Sequence, residues 1–240
     1  MARTSAAKSG VIKLRRTRAE KLDATRRALF DAAIQIVGEE GYANASVFKI
    51  TRRAHVAHGT FYNYFGTQQD LFDELLPVLG ERLLAHIRAH LDVSVVGVER
   101  ERRRFEAYFS FCRKTPGFLR ILNEAEVFAP KAFHTHIKRF FEGYLHSLQR
   151  SAERGEIGGY EEQDLLVIVF MLMGMRSYLT MLYQHNYVDR DKLTVAALID
   201  TYSQFVGRAL FEPPPGSPVR QVTDARSRRT MTNGAGRLRK

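Results

Sequence analysis

Between His55 and Gly66 the chain reads HVAHGTFYNYFG, with four aromatic residues in five positions and no Lys, Arg, Asp or Glu. On a helix of 3.6 residues per turn, Phe61 and Phe65 share one face, with Val56 packing just below. Gly59, Thr60, Asn63 and Tyr64 then lie roughly opposite, and Tyr62 sits at the flank. The two phenylalanines are expected to hold the segment to a core while hydroxyl and amide groups are offered outward. Such groups bond phosphate oxygens or base edges, and methyl groups touch thymine. Gly59 removes a side chain where a backbone could approach closely.

Other residue pairs offer less chemistry. His86 and His90 stand four apart and could share a helix face, but no acidic or cysteine partner completes a metal set and no HExxH pattern occurs. His134 and His136 are two apart and point different ways on a helix. The chain has no phosphate loop, no GxGxxG and no GxSxG, so catalysis has no foothold and neither cofactor nor metal is expected. The single cysteine, Cys112, reads as a buried apolar residue. Glu124 and Glu126, in LNEAEVF, either meet a cationic or hydroxylated ligand or form a solvated helix edge. Arg176, inside the most apolar segment, requires a carboxylate or an acidic ligand, since unpaired burial is too costly.

The elements that must position these groups are helical throughout. In 23–40 the residues Leu29, Ala32, Ala33, Ile36 and Val37 recur at helical spacing, with Gly41 as a stop. Ser46 caps a short second helix whose inner face is Val47, Ile50 and Ala54 and whose outer side carries Lys49, Arg52 and Arg53. Three residues, His55 to Ala57, connect it to the quoted segment, a helix-turn-helix spacing over about 46–65. Thr67 and Asp70 open a fourth helix that Pro77 should bend.

Charge is concentrated at the ends. Residues 1–22 and 213–240 each hold seven Lys or Arg against one acid, a formal +6 apiece, which leaves −1 for the rest of a chain whose net charge is +11. Both ends lack apolar periodicity, and the second opens with three prolines, so an unstructured basic arm and tail are expected. Basic tails suit a polyanion, although solubility alone also accounts for them. One cysteine excludes an internal disulfide, and MARTSAAKSG is not followed by the apolar run of a signal peptide, so a cytoplasmic protein without a membrane partner is the expectation.

Residues 23–76, above all GYANASV at 41–47, KITRRAHVAHGTFYNYFG at 49–66 and DLFDELL at 70–76, resemble the DNA-binding domain of the TetR/AcrR family of bacterial transcriptional regulators. The resemblance implies an all-α homodimer. Residues 23–82 would form a three-helix helix-turn-helix domain that reads double-stranded operator DNA, and 83–212 a larger helical domain that dimerises and binds a small effector. It implies a repressor, not an enzyme, released from its operator by that effector. The DNA-binding residues would be Lys49, Arg52, Arg53, His58, Gly59, Thr60, Tyr62, Asn63, Tyr64 and Thr67.

The chain departs from the family pattern at three positions. His55 stands where the turn usually holds Gly, Ala57 where a Ser or Thr cap is usual, and Gln68 where a Lys usually meets a phosphate. The basic arm is expected to restore that contact. Beyond His90, helices are expected over 99–114, 118–128, 130–154, 161–185 and 191–211, the last two forming the dimer interface unless they are a monomer core. Candidate effector contacts are Phe105, Phe109, Phe118, Leu122, Glu126, Phe140, Tyr144, Met171, Met175, Arg176 and Tyr178, though core packing explains most of them equally well. The competing class is a non-specific DNA-compacting protein driven by its basic ends.

Overall fold

The computed structural model describes residues 17–92 and 94–211, so the expectations for 1–16 and 213–240 lie outside it. The described chain is all-α, without a strand. Its helices are α1 (Arg18–Glu40), α2 (Val47–Arg53), α3 (His58–Phe61), α4 (Gln68–His90), α5 (Gly97–Lys114), α6 (Phe118–Phe128), α7 (Pro130–Glu153), α8 (Glu162–Gln184) and α9 (Val195–Val206). A π-helical turn, Gly207–Phe211, follows α9.

Three of the boundaries that differ from expectation have a clear local reason. Helix α1 starts at Arg18, inside the segment 1–22 expected to be an arm, because Thr17 and Glu20 close a capping box. The Thr17 N–H donates to Glu20 Oε2 at 2.7 Å and the Glu20 N–H to Thr17 Oγ1 at 3.2 Å. Helix α3 stops at Phe61, not Phe65. There the bonding tightens to i→i+3, the Asn63 N–H donating to the Thr60 carbonyl at 3.2 Å and the Tyr64 N–H to that of Phe61 at 2.9 Å. Helix α9 begins at Val195, not Asp191, because Thr194 Oγ1 accepts the Ala197 N–H at 3.1 Å and so fixes the start.

The chain divides into two compact units that do not follow the expected boundary at 82/83. The first takes the chain through His86 together with Tyr108–Phe140, and the second takes Ile87–Ala107 with the chain from Phe141 onward. The reason lies in α6, which is bound to the end of α1. A Cβ on Gly38 would stand 2.6 Å from the Gly117 Cα, so two glycines let the backbones touch. Beside them Glu124 Oε2 accepts the Tyr42 N–H at 2.9 Å, and Arg120 Nη1 donates to the Glu39 carbonyl at 2.6 Å. Glu124 therefore latches the turn after α1.

In the first unit α1, α2 and α4 bury Leu29, Val37, Ile50, Leu71, Leu75 and Leu79. An ion pair from Arg82 to Asp31 at 2.8 Å and another between Arg26 and Glu74 join α1 to α4, which continues through Pro77 as one helix. On α7, His136 is buried against α4: a Cβ on Gly80 would fall 2.7 Å from His136 Nδ1, and the ring stacks on Phe140 at 4.4 Å. Burial pulls its pKa down to about 4 despite a hydrogen bond with the Leu76 backbone. Cys112 is buried as expected, and burial pushes its thiol up to about 12.

In the second unit α8 packs through Leu165, Ile168, Val169, Leu172, Arg176 and Thr180, one stripe at helical spacing. Its other side leaves Leu166, Val167, Phe170, Met171 and Tyr178 exposed. By length and composition alone α8 could cross a membrane, with a mean hydropathy of 1.9. The buried Arg176 in its packed stripe marks it instead as the core helix of a folded unit.

Candidate nucleic-acid interface

The helix-turn-helix is built from the inside out. Phe61 and Phe65 are 0% and 2% exposed, and Phe65 packs edge-on against Phe30 of α1 at 5.4 Å. With both rings committed inward, the residues between and before them must face out. His58, Gly59, Tyr62 and Asn63 are exposed, while Thr60 and Tyr64 are half-buried. Nothing lies within 4 Å of where a Gly59 Cβ would be, so the backbone there is open to approach. Ring packing of His58 on Tyr62 at 5.8 Å preorganises two of these side chains.

The turn between α2 and α3 forms as a Schellman motif. The Val56 N–H reaches the Thr51 carbonyl at 3.0 Å and the His55 N–H that of Arg52 at 3.3 Å. This places His55 at φ +56, which explains why a glycine suits the position. Ala57, at the start of α3, gives no side-chain cap, so that cap is not replaced.

The rim cations divide. Arg53 forms a fork on Glu39 at 2.9 and 3.1 Å, and Lys49 pairs with Glu40 and donates to the Asn44 carbonyl at 3.0 Å. Both therefore brace α2 against the end of α1. Arg52 is exposed and makes no ion pair among the described residues. Thr67 is exposed and shares a capping box with Asp70, its N–H donating to Asp70 Oδ2 at 2.8 Å. Gln68, where a phosphate-binding Lys was missed, instead donates to the Ala45 carbonyl at 2.8 Å and ties α4 to the entry of α2. Sequence reading overlooked Phe48, 60% exposed on α2. The signal was its place between inward Val47 and outward Lys49, off the buried stripe.

Residues 29–75 match the sequence profile of the bacterial regulatory proteins of the tetR family. This segment is a TetR-family DNA-binding domain. The chain's curated relatives are helix-turn-helix transcriptional regulators, which supports a DNA-binding regulator. A helix-turn-helix transcriptional regulator of Haemophilus influenzae is 25% identical over 167 residues, 65% of this chain and 79% of that protein. The fatty acid metabolism regulator of Bacillus subtilis is 38% identical over 64 residues, a quarter of this chain and a third of that one. The fatty acid degradation regulator FadR from Bacillus halodurans shares the fold, with a TM-score of 0.63 at 23% identity over 75% of this chain and 93% of its own.

The residues expected at an effector site are dispersed. In the first unit Phe109 and Phe118 are fully buried, Leu122 and Phe140 half-buried, and Glu126 exposed. Phe118 meets Phe111 edge-on at 5.3 Å, as core aromatics do. In the second unit Phe105, Tyr144 and Arg176 are buried, and Phe105 lies 4.5 Å from Tyr202. Met171 and Tyr178 are 54% and 60% exposed and so line no interior wall: α8 buries only the stripe through Leu172 and Arg176, and they fall on its other side. Met175 is half-buried. A surface groove of about 280 Å³ in this unit, lined by Val98, Arg102, Ser203 and Arg208 among others, includes none of the expected residues. Among the described residues no group of three or more His, Cys, Asp or Glu could hold a metal ion.

Proposed function

We propose that the protein is a ligand-responsive repressor that binds a near-palindromic operator as a homodimer. The observation that carries this reading is the outward, uncharged hydrogen-bonding surface of His58, Thr60, Tyr62, Asn63 and Tyr64, pinned from behind by buried Phe61 and Phe65. That surface lies in the major groove, with Gly59 admitting the backbone, while Arg52, Thr67 and, once released from their carboxylates, Lys49 and Arg53 meet phosphates. Residues 23–82 form the reading head and 83–212 the effector and dimer domain, working in the cytoplasm without a membrane partner.

Dimerisation uses α8 and α9. The exposed side chains of Leu166, Val167, Phe170, Met171 and Tyr178 on α8 and of Phe205 on α9 support this, since a monomer gains nothing by exposing them. Two copies joined there present their α3 segments to successive major grooves about 34 Å apart. An effector in the C-terminal helices changes that spacing through α4 and so lowers operator affinity. The fatty-acid regulators among its likenesses make fatty acids the first effectors to test.

Selecting bound duplexes from a random pool tests the reading. A recovered inverted repeat, bound tightly by the native protein and about tenfold to a hundredfold more weakly by Tyr62→Ala, supports it. Recovery of no preferred sequence, with binding that survives Tyr62→Ala and Thr60→Ala, would support the alternative of DNA compaction by the basic ends.

A further inference from the structure

Helix α2 turns Val47, Ile50 and Thr51 inward, and the helical repeat splits its outer side into two edges. Lys49 and Arg53, four apart, form the edge that leans on the end of α1 through Glu40 and Glu39. Phe48 and Arg52, also four apart, form the other edge, and both are exposed. The turn that carries the Phe48 ring is held at both ends. Ser46 Oγ accepts the Lys49 N–H at 3.3 Å, and Thr51 Oγ1 donates to the Val47 and Phe48 carbonyls at 2.8 and 3.2 Å.

A lone exposed phenylalanine is common on protein surfaces and means nothing by itself. The setting of Phe48 gives it meaning. Phe48 and Tyr62 are the large apolar side chains left exposed in 46–67, and Tyr62 ends in a hydroxyl where Phe48 has no polar group. The start of α2 also lies against the end of the reading segment, because Gln68 Nε2 donates to the Ala45 carbonyl at 2.8 Å and exposed Thr67 comes just before it. Phe48 is therefore a rigidly held hydrocarbon on a surface that otherwise offers hydrogen bonds and charge.

The major-groove edge of a duplex presents one hydrocarbon group, the 5-methyl of thymine. Side chains four apart on a helix stand about 6 Å apart at Cβ, so a phosphate held by Arg52 brings the neighbouring base edge beside the Phe48 ring. We infer that Phe48 reads the 5-methyl group of one thymine in each operator half-site, a specificity contact made by α2 and not by the segment 58–64. The inference rests on the operator-binding reading above and adds a second reading element to it.

The test uses the full-length protein and the operator recovered from a random pool, with each thymine of the half-site replaced in turn by deoxyuridine, which removes only the methyl group. Affinities are measured by fluorescence anisotropy at one salt concentration. At one thymine per half-site the native protein should lose about threefold to fivefold in affinity, the worth of one buried methyl group. Phe48→Ala, which removes a side chain already 60% exposed and so keeps the fold, should bind the thymine and deoxyuridine duplexes equally. Phe48→Leu, which keeps a hydrocarbon there, should retain most of the difference. A native protein indifferent to every methyl group, or a methyl effect of the same size in Phe48→Ala, overturns the contact and leaves the operator reading standing. Failure to recover any operator removes both.

Discussion

The helix-turn-helix surface and the interior of the second unit are made from much the same side chains, arranged in opposite order. In the first, Phe61 and Phe65 are inside and the hydroxyls, amides and cations are outside, where Arg53 and Lys49 meet Glu39 and Glu40 in water. In the second, Glu101, Arg104, Tyr144 and Arg176 are inside, and the apolar side of α8 is outside. Ion pairs in water are screened and contribute little to stability. A buried pair resists disruption mainly because removing one member strands the other charge. The first surface should therefore tolerate substitution in its stability and fail in binding, and the second should behave the other way round.

The sharpest way to break that contrast is to remove a carboxylate from each side. Glu101→Gln leaves Arg104 without its buried counter-charge and should cost about 3–5 kcal/mol in urea denaturation. Glu39→Gln, which frees an exposed Arg53, should leave the denaturation midpoint where it was. Equal losses would mean that burial does not set the difference.

A buried group in the first unit sharpens the comparison further. His136 titrates at about 4 in the fold because burial disfavours its charged form, against about 6.5 in an unfolded chain. The unfolded state thus takes up the proton first. Its contribution is fully present above pH 6.5, is lost as pH falls from there toward 4, and amounts to about 3 kcal/mol in all. Stability measured against pH should lose that slope in His136→Gln, which keeps a donor for the Leu76 carbonyl but cannot titrate.

Next in size is the reading surface itself. Tyr62→Ala removes a side chain 53% exposed in the free protein and should change stability by less than about 0.5 kcal/mol. Operator affinity should fall by about 1–3 kcal/mol, measured by fluorescence anisotropy. A Tyr62→Ala protein that binds as before would move the reading surface elsewhere, and exposed Phe48 would be the first place to look.

Much of this was legible in the sequence because helical spacing reports one-sided burial directly. The Phe61–Phe65 spacing gave the orientation of the whole reading segment, and helix α6 was placed at its observed bounds from Thr115-Pro116-Gly117 and Pro130. What stayed hidden depended on contacts between distant residues. Gly38 and Gly117 are 79 positions apart and nothing local announces that their backbones touch. Glu101 sits in a charged run, ERERRR, that reads as a solvated face, yet it is 2% exposed. Met171 and Tyr178 failed as wall residues because apolar composition alone does not distinguish the packed stripe of α8 from its open side.

The smallest effect tests whether the irregular turn serves binding or is merely tolerated. His55 holds φ +56, a conformation that costs an L residue about 1 kcal/mol or more and costs glycine little. Its side chain is exposed and stands before the reading segment, and the Schellman bonds around it are made by backbone alone. His55→Gly should therefore stabilise the protein by about 1 kcal/mol in thermal denaturation, with operator affinity unchanged, because the backbone path of the turn is already the one glycine prefers. A gain in stability accompanied by weaker operator binding would place the His55 imidazole on the DNA and extend the outward surface across the turn.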